Sequence, residues 1–207
     1  MTTCMTLNIK EIQPLKGQMS CNLWENSNIN LPLTLYYSIE IPLQPFNSGH
    51  DYVDQPTNTK IIIEWIIFGE SQNEYQERNW QNLVGRKFNL SYNDETAEGS
   101  IYLGSEHCQF NSQINFLSLN QTTFEIELKM AVDFNIEISN LDSDGLVKIQ
   151  TQVDYDGLRV YHSQLPTFKN TDDNLALVGK YIDLSVYQTG FTQFDNGNID
   201  WKHLKPK

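Results

Sequence analysis

Carboxylates are the side chains with most chemistry to offer in this chain, and six of them fall into one pattern. Glu125, Glu127, Asp133 and Glu137 share one phase of an alternating run, with Lys129 opposing them, and Asp154 and Asp156 lie on the polar phase of the next run. Like charges so close together repel unless something offsets them. Solvent is one offset and a basic protein partner is another. The second makes these six residues a partner-binding surface.

Other chemistry is less well supported. Asn140-Leu-Asp142-Ser-Asp144-Gly145 looks like the start of a calcium loop, but Asn stands first, Thr151 stands where the closing bidentate Glu belongs, and strands flank it instead of helices. It reads as a turn, and no bound metal is expected. Glu106-His107-Cys108 sets a base beside a thiol. In an extended segment such neighbours point to opposite faces, which breaks a Cys–His dyad. His50, His162 and His203 have no metal-ligand spacing. The patterns GxSxG and GxGxxG and a P-loop are absent. Neither a catalytic residue nor a cofactor is expected, although two scattered carboxylates could still meet in space as an acid/base pair.

The elements that position the six carboxylates are strands. Phe124, Ile126, Leu128, Met130, Val132, Phe134, Ile136 and Ile138 occupy every second position, which predicts a strand with one dry and one wet face. Asp142-Ser-Asp144-Gly145 supplies a turn, and Val147, Ile149, Thr151, Val153 and Tyr155 form the dry phase of a return strand. After Tyr155 the phase slips, with Leu158 and Val160 on even numbers. Asp156-Gly157 therefore marks either a reversal or a bulge.

Earlier, Leu31 to Leu43 alternates, with Pro32 and Pro42 near its ends, as suits an edge strand or one unpaired at its ends. Gly17 reads as a turn before a shorter strand over Met19–Trp24. Ile61–Phe68 is apolar on both phases apart from Glu64, as in a strand covered on both sides. Ile182, Leu184 and Val186 predict a late strand, Asn196-Gly197 a short hairpin, and the tail 202–207 a frayed end. Helix is confined to Asp172–Lys180 and Gln72–Leu83. The fold expected is all-β: an antiparallel β-sandwich or rolled sheet centred on a long hairpin at about 122–160, with minor helix. Residues 1–207 read as one domain, with a possible subdivision at the loop 44–59.

Composition narrows the function. Hydrophobic residues make up 39% of the 207, enough for a real core. The formal net charge is −12, which repels nucleic acid and favours a basic protein partner or a cation. The N-terminus lacks a signal-peptide pattern, no run reaches the ~18 apolar residues of a membrane span, and Cys4, Cys21 and Cys108 have no CxxC spacing. Reduced thiols and a cytoplasmic location are expected.

Two stretches carry a family resemblance. One is Trp80-x-x-Leu83-x-Gly85-x-x-Phe88. The other is Gly99-Ser-Ile-Tyr102, then His107 and, after Ile114–Phe116, Asp133-Phe134-x-Ile136-Glu137. Their order, over about residues 60–160, resembles immunity proteins encoded beside polymorphic bacterial toxins of the Rhs, type VI or contact-dependent kinds. The resemblance implies a β-rich, non-enzymatic toxin inhibitor that binds its cognate toxin; it implies no particular site residue. Opposite net charge would speed such binding. The alternative kept open is a cation-assisted carbohydrate- or ligand-binding β-sandwich.

Overall fold

A computed structural model describes residues 12–26, 28, 30–47, 56, 58–68, 77–91, 97–103, 106–133, 144–161, 164, 171–193 and 201–207. The elements run β1 (Gly17–Asn26), β2 (Leu31–Pro42), β3 (Lys60–Ile66), β4 (Lys87–Leu90), β5 (Glu98–Leu103), β6 (Glu106–Asn120), β7 (Thr123–Asp133), β8 (Asp144–Tyr161), α1 (Thr171–Val178), β9 (Thr192–Gln193) and β10 (Trp201–Leu204).

Strict alternation builds the centre. On β7, Phe124, Ile126, Leu128 and Met130 are buried, while Glu125, Glu127 and Lys129 face outward. β8 pairs with it antiparallel without a break from Thr123↔Asp154 to Asp133↔Asp144, and buries Val147, Ile149, Val153 and Tyr155. This is the expected hairpin; its turn, with Phe134, Ile136, Ile138 and the calcium-like residues 140–143, lies outside the described residues. β6 joins β7 through the two-residue loop Gln121-Thr122, where Gln121 takes a left-handed φ of 56° as a tight hairpin demands.

The phase slip after Tyr155 is a bulge within a continuing strand. Met19 of β1 opposes Tyr155 but Ser20 opposes Gly157, so Asp156 is the extra residue. Gly157 has φ 110°, and a Cβ there would lie 2.2 Å from the carbonyl oxygen of Leu204. Only glycine fits. Beyond the bulge Leu158 and Val160 take over the dry phase, both fully buried. The bulge also changes partners: β8 leaves β7 and pairs with β10 through Leu158↔Leu204 to Tyr161↔Trp201.

The sheet closes on itself. Antiparallel pairing runs β1-β2-β3-β5-β6-β7-β8, and β8 then pairs with β1. An up-and-down order of seven strands leaves the first and last pointing the same way, so the closing pair must be parallel, as it is from Gly17↔Val153 to Leu23↔Val160. The expected rolled sheet is thus a closed barrel, mixed at this one seam, and closure removes the exposed edges that an open sheet would leave. β4 extends one flank by pairing β6, and β9 extends another by pairing β10.

Side chains from the ring strands pack together inside the barrel. One core cluster takes residues from every ring strand. The segment that carried the first resemblance plugs one end. Asn79 caps a 3-10 turn, Trp80–Leu83, by accepting from Gln81 N at 2.9 Å. Trp80 is fully buried, 4.7 Å from the Tyr155 ring and edge-on to Phe124 at 5.8 Å. Gly85 N donates to Phe116 O and Phe116 N donates to Arg86 O, which fastens the plug to β6.

Several local expectations are corrected. β2 is no edge strand: it lies between β1 and β3, and its prolines sit at its ends. Gly17 is inside β1 and not in a turn. Ile182 to Val186 is no strand, because the Asp183 carboxylate accepts from Ser185 N and turns Leu184–Val186 into a 3-10 helix. The tail is not frayed: β8 has an open flank past the bulge, β10 fills it, and Leu204 is fully buried. β3 is covered on its inner side only, since Glu64 and Trp65 both face out.

Candidate binding surface

Among the described residues, three places offer polar or aromatic chemistry: a polar chain in the core, the outer face of β6–β8, and the outer face of β1–β3.

In the core, Cys21 Sγ lies 2.9 Å from Tyr155 Oη, which lies 2.7 Å from Tyr187 Oη. Burial pushes the Cys21 thiol up to about 12 and raises both phenols well above their usual range. All three stay neutral, so the thiol is a packing group and no nucleophile. Nearby, His203 is buried and donates from Nε2 to Asp156 O at 2.6 Å; the carbonyl can only accept, so Nε2 carries the proton. Burial lowers the His203 pKa. Cys108 is placed on β6 beside His107 at successive strand positions. Among the described residues no three His, Cys, Asp or Glu side chains converge as metal ligands, and no helix is long and apolar enough to cross a membrane.

The β6–β8 face carries the sequence-predicted carboxylates, and their surroundings differ from a bare acidic field. Glu125 accepts from Gln150 Nε2 at 2.6 Å and Ser118 Oγ at 3.1 Å. Glu127 lies between Lys148 at 2.7 Å and Lys129 at 3.6 Å. The Lys148 hydrogen bond and the charges of both lysines hold its carboxyl below the usual range. Asp154 is pushed up by burial, but hydrogen bonds from Lys16 and Thr123 and the charge of Lys16 outweigh this and lower it. Asp156 sits at the bulge, paired with Arg159 at 2.8 Å. Asp133 pairs with Asp144 through the backbone at the far end of the ladder, and Glu137 lies outside the described residues. Glu125 and Glu127 share one face; Asp156 lies at the bulge, past Thr123↔Asp154, the last β7–β8 pair. Each of the four carboxylates described has a partner within the chain.

The β1–β3 face is built differently. β3 breaks its alternation after Ile63. Tyr37 opposes Ile66 and Ile39 opposes Ile63, so Ser38 alone faces Glu64 and Trp65. This bulge turns two successive side chains outward, and Trp65 takes a left-handed φ of 60°, an uncommon state for a bulky residue. Trp65 is 40% exposed. Its ring lies 5.0 Å from Trp24 and 5.3 Å from Tyr36, tilted by 51° and 81°. Tyr36 is buried beneath them. The three rings, with Asn22, Ser38 and Glu64, line a depression of about 180 Å³. Glu64 directly opposes Glu98 of β5, and both are exposed. Among the described residues neither has an ion-pair partner. The sequence did contain a signal for this site: Trp24 and Tyr36 stand on the outward phase of their strands, where a solvated barrel favours polar residues.

Compared with protein-family models, curated proteins and solved structures, the chain matches none.

Proposed function

We propose that this chain is a non-enzymatic binding protein acting in the cytoplasm, and that its partner is a basic protein, the cognate bacterial toxin that it neutralises. The observation that carries this reading is the outward aromatic depression on β1–β3, lined in part by Glu64, which Glu98 opposes across the β3–β5 pair. Tryptophan and tyrosine dominate the energetics of protein interfaces. A net charge of −12 favours a cationic partner and speeds encounter with it. The family resemblance supplies the toxin.

The test is co-expression with the C-terminal domain of a large toxin gene adjacent to that for this chain. Growth restored by the wild-type chain, with a complex recovered from the cells, supports the reading. Continued killing at full expression of a folded chain sinks it.

The aromatic depression also favours a second reading, ligand binding. Sugars stack on flat, open ring faces, whereas these rings are steeply tilted to one another. Calorimetric titration with mono- and oligosaccharides decides between the two.

A further inference from the structure

The depression on β1–β3 has a size, a charge and a chemistry that together specify an occupant. We infer that it receives a single arginine side chain of a protein partner, with the guanidinium against the Trp24 and Trp65 rings and its fork directed to Glu64 and Glu98. This rests on the reading of the chain as a protein-binding module, and it names the chemistry of the contact.

Size comes first. Pockets that enclose small-molecule ligands run to ~300–1,000 Å³. A depression of about 180 Å³ suits one side-chain head and excludes a folded element.

Charge comes next. Opposed like charges in neighbouring strands destabilise a sheet. Glu40, on the same sheet, is offset by Lys60 at 2.7 Å, whereas Glu64 and Glu98 have no such offset among the described residues. Arg159, which opposes Asn22 across the β1–β8 seam, is already engaged by Asp156 at 2.8 Å. A cation from outside removes the repulsion.

Ring chemistry then chooses among cations. A positive charge over the face of tryptophan is attracted by the ring quadrupole. Arginine adds planar stacking and a fork of N–H donors that can serve two carboxylates at once, whereas lysine offers one compact, strongly hydrated charge. The Trp65 backbone supports the assignment. A left-handed tryptophan on a bulge holds its ring beside Glu64, where regular alternation would point one of the two inward. Strain of this kind persists where the surroundings hold it, and it gathers at functional sites.

The test follows the indole N–H signals of Trp24 and Trp65 by NMR during titration with a short capped peptide containing one arginine. Matched peptides carry citrulline, which keeps the shape without the charge, or lysine. The arginine peptide is expected to shift both signals saturably in the range of about 1–10 mM, an affinity within reach of one anchored side chain. Citrulline is expected to bind at least tenfold more weakly and lysine several-fold more weakly. The double variant Glu64→Gln/Glu98→Gln, its fold checked in the same spectra, should lose about tenfold. Equal response to arginine and citrulline, a double variant that binds like wild type, or indole signals that do not move would each overturn the inference. Failure of toxin protection with the arginine response intact would remove the toxin reading and leave the arginine site standing.

Discussion

The outer faces of β6–β8 and β1–β3 belong to the same barrel, yet they treat charge in opposite ways. On β7 two neighbouring outward carboxylates are both matched: Glu127 by Lys129 and Lys148, Glu125 by Gln150 and Ser118. On β3 and β5 there are two, directly opposed and unmatched among the described residues, beside a tryptophan in a strained conformation. Counting acidic residues along a strand therefore does not show which of them are matched. Neighbours on adjacent strands decide whether a carboxylate serves the fold or is left for something else. Marginal stability makes this informative, because a chain seldom keeps repulsion and strain together without a use for them.

The largest effects come from breaking the barrel that both faces share. Phe124 is fully buried against Trp80 and Phe116. Truncation by Phe124→Ala is expected to cost about 3–5 kcal/mol in chemical denaturation. A loss under about 1 kcal/mol would mean that the plug does not pack as described.

A smaller effect isolates the β3 bulge. The left-handed region costs an L-residue ~1–2 kcal/mol, a cost absent for glycine. Trp65→Gly and Trp65→Ala lose the same ring contacts, so their difference reports the backbone alone. The glycine variant should be the more stable by about 1 kcal/mol, although glycine normally weakens a strand. An alanine variant as stable as the glycine variant would remove the strain from Trp65.

The pH dependence separates the faces further. His203 is buried and neutral, and burial lowers its pKa in the folded state. Between the folded pKa and the ordinary value of 6.5, the unfolded chain binds more protons. Stability from this group is thus fully present above 6.5 and declines as pH falls below it. His203→Gln should flatten that limb of a stability-versus-pH curve; an unchanged limb would assign it to other groups. Glu127 acts at lower pH. Its folded pKa is depressed, so its contribution holds above its ordinary 4.5 and is lost as pH falls through the folded value. Glu127→Gln should remove part of the loss in that range, and removal of nothing would mean that the lysine pairs do not persist in solution.

Much of the fold is legible in the sequence, for a definite reason. The alternation on β7 and β8 is local, and the slip at Asp156-Gly157 narrows the choice to a turn or a bulge. What decides for the bulge is distant: β1 lies alongside, and the Leu204 carbonyl leaves no room for a Cβ. Barrel closure depends on a parallel pair about 135 residues apart in sequence, which no local pattern encodes. The 3-10 turn at Leu184–Val186 carries a strand-like pattern that one capping carboxylate, Asp183, overrides. At the candidate site, Ile61–Phe68 is too uniformly apolar to reveal where its phase slips, so the outward pairing of Glu64 with Trp65 is invisible until β2 sets the register. The acidic phase of β7 is plain to see, but its lysine partner on β8 comes from the pairing.

The smallest effect separates the two faces most directly. Removing charge from an opposed like-charge pair should stabilise, by about 0.2–1 kcal/mol, whereas the same change at a matched carboxylate should destabilise. Chemical denaturation of Glu64→Gln/Glu98→Gln at neutral pH and low salt, beside Glu127→Gln, reads the sign of each. The expected result is a double variant more stable than wild type, with a gain that shrinks as salt screens the repulsion, and a Glu127 variant less stable than wild type. A double variant less stable than wild type would contradict the central claim, since Glu64 and Glu98 would then be serving the fold and not a partner.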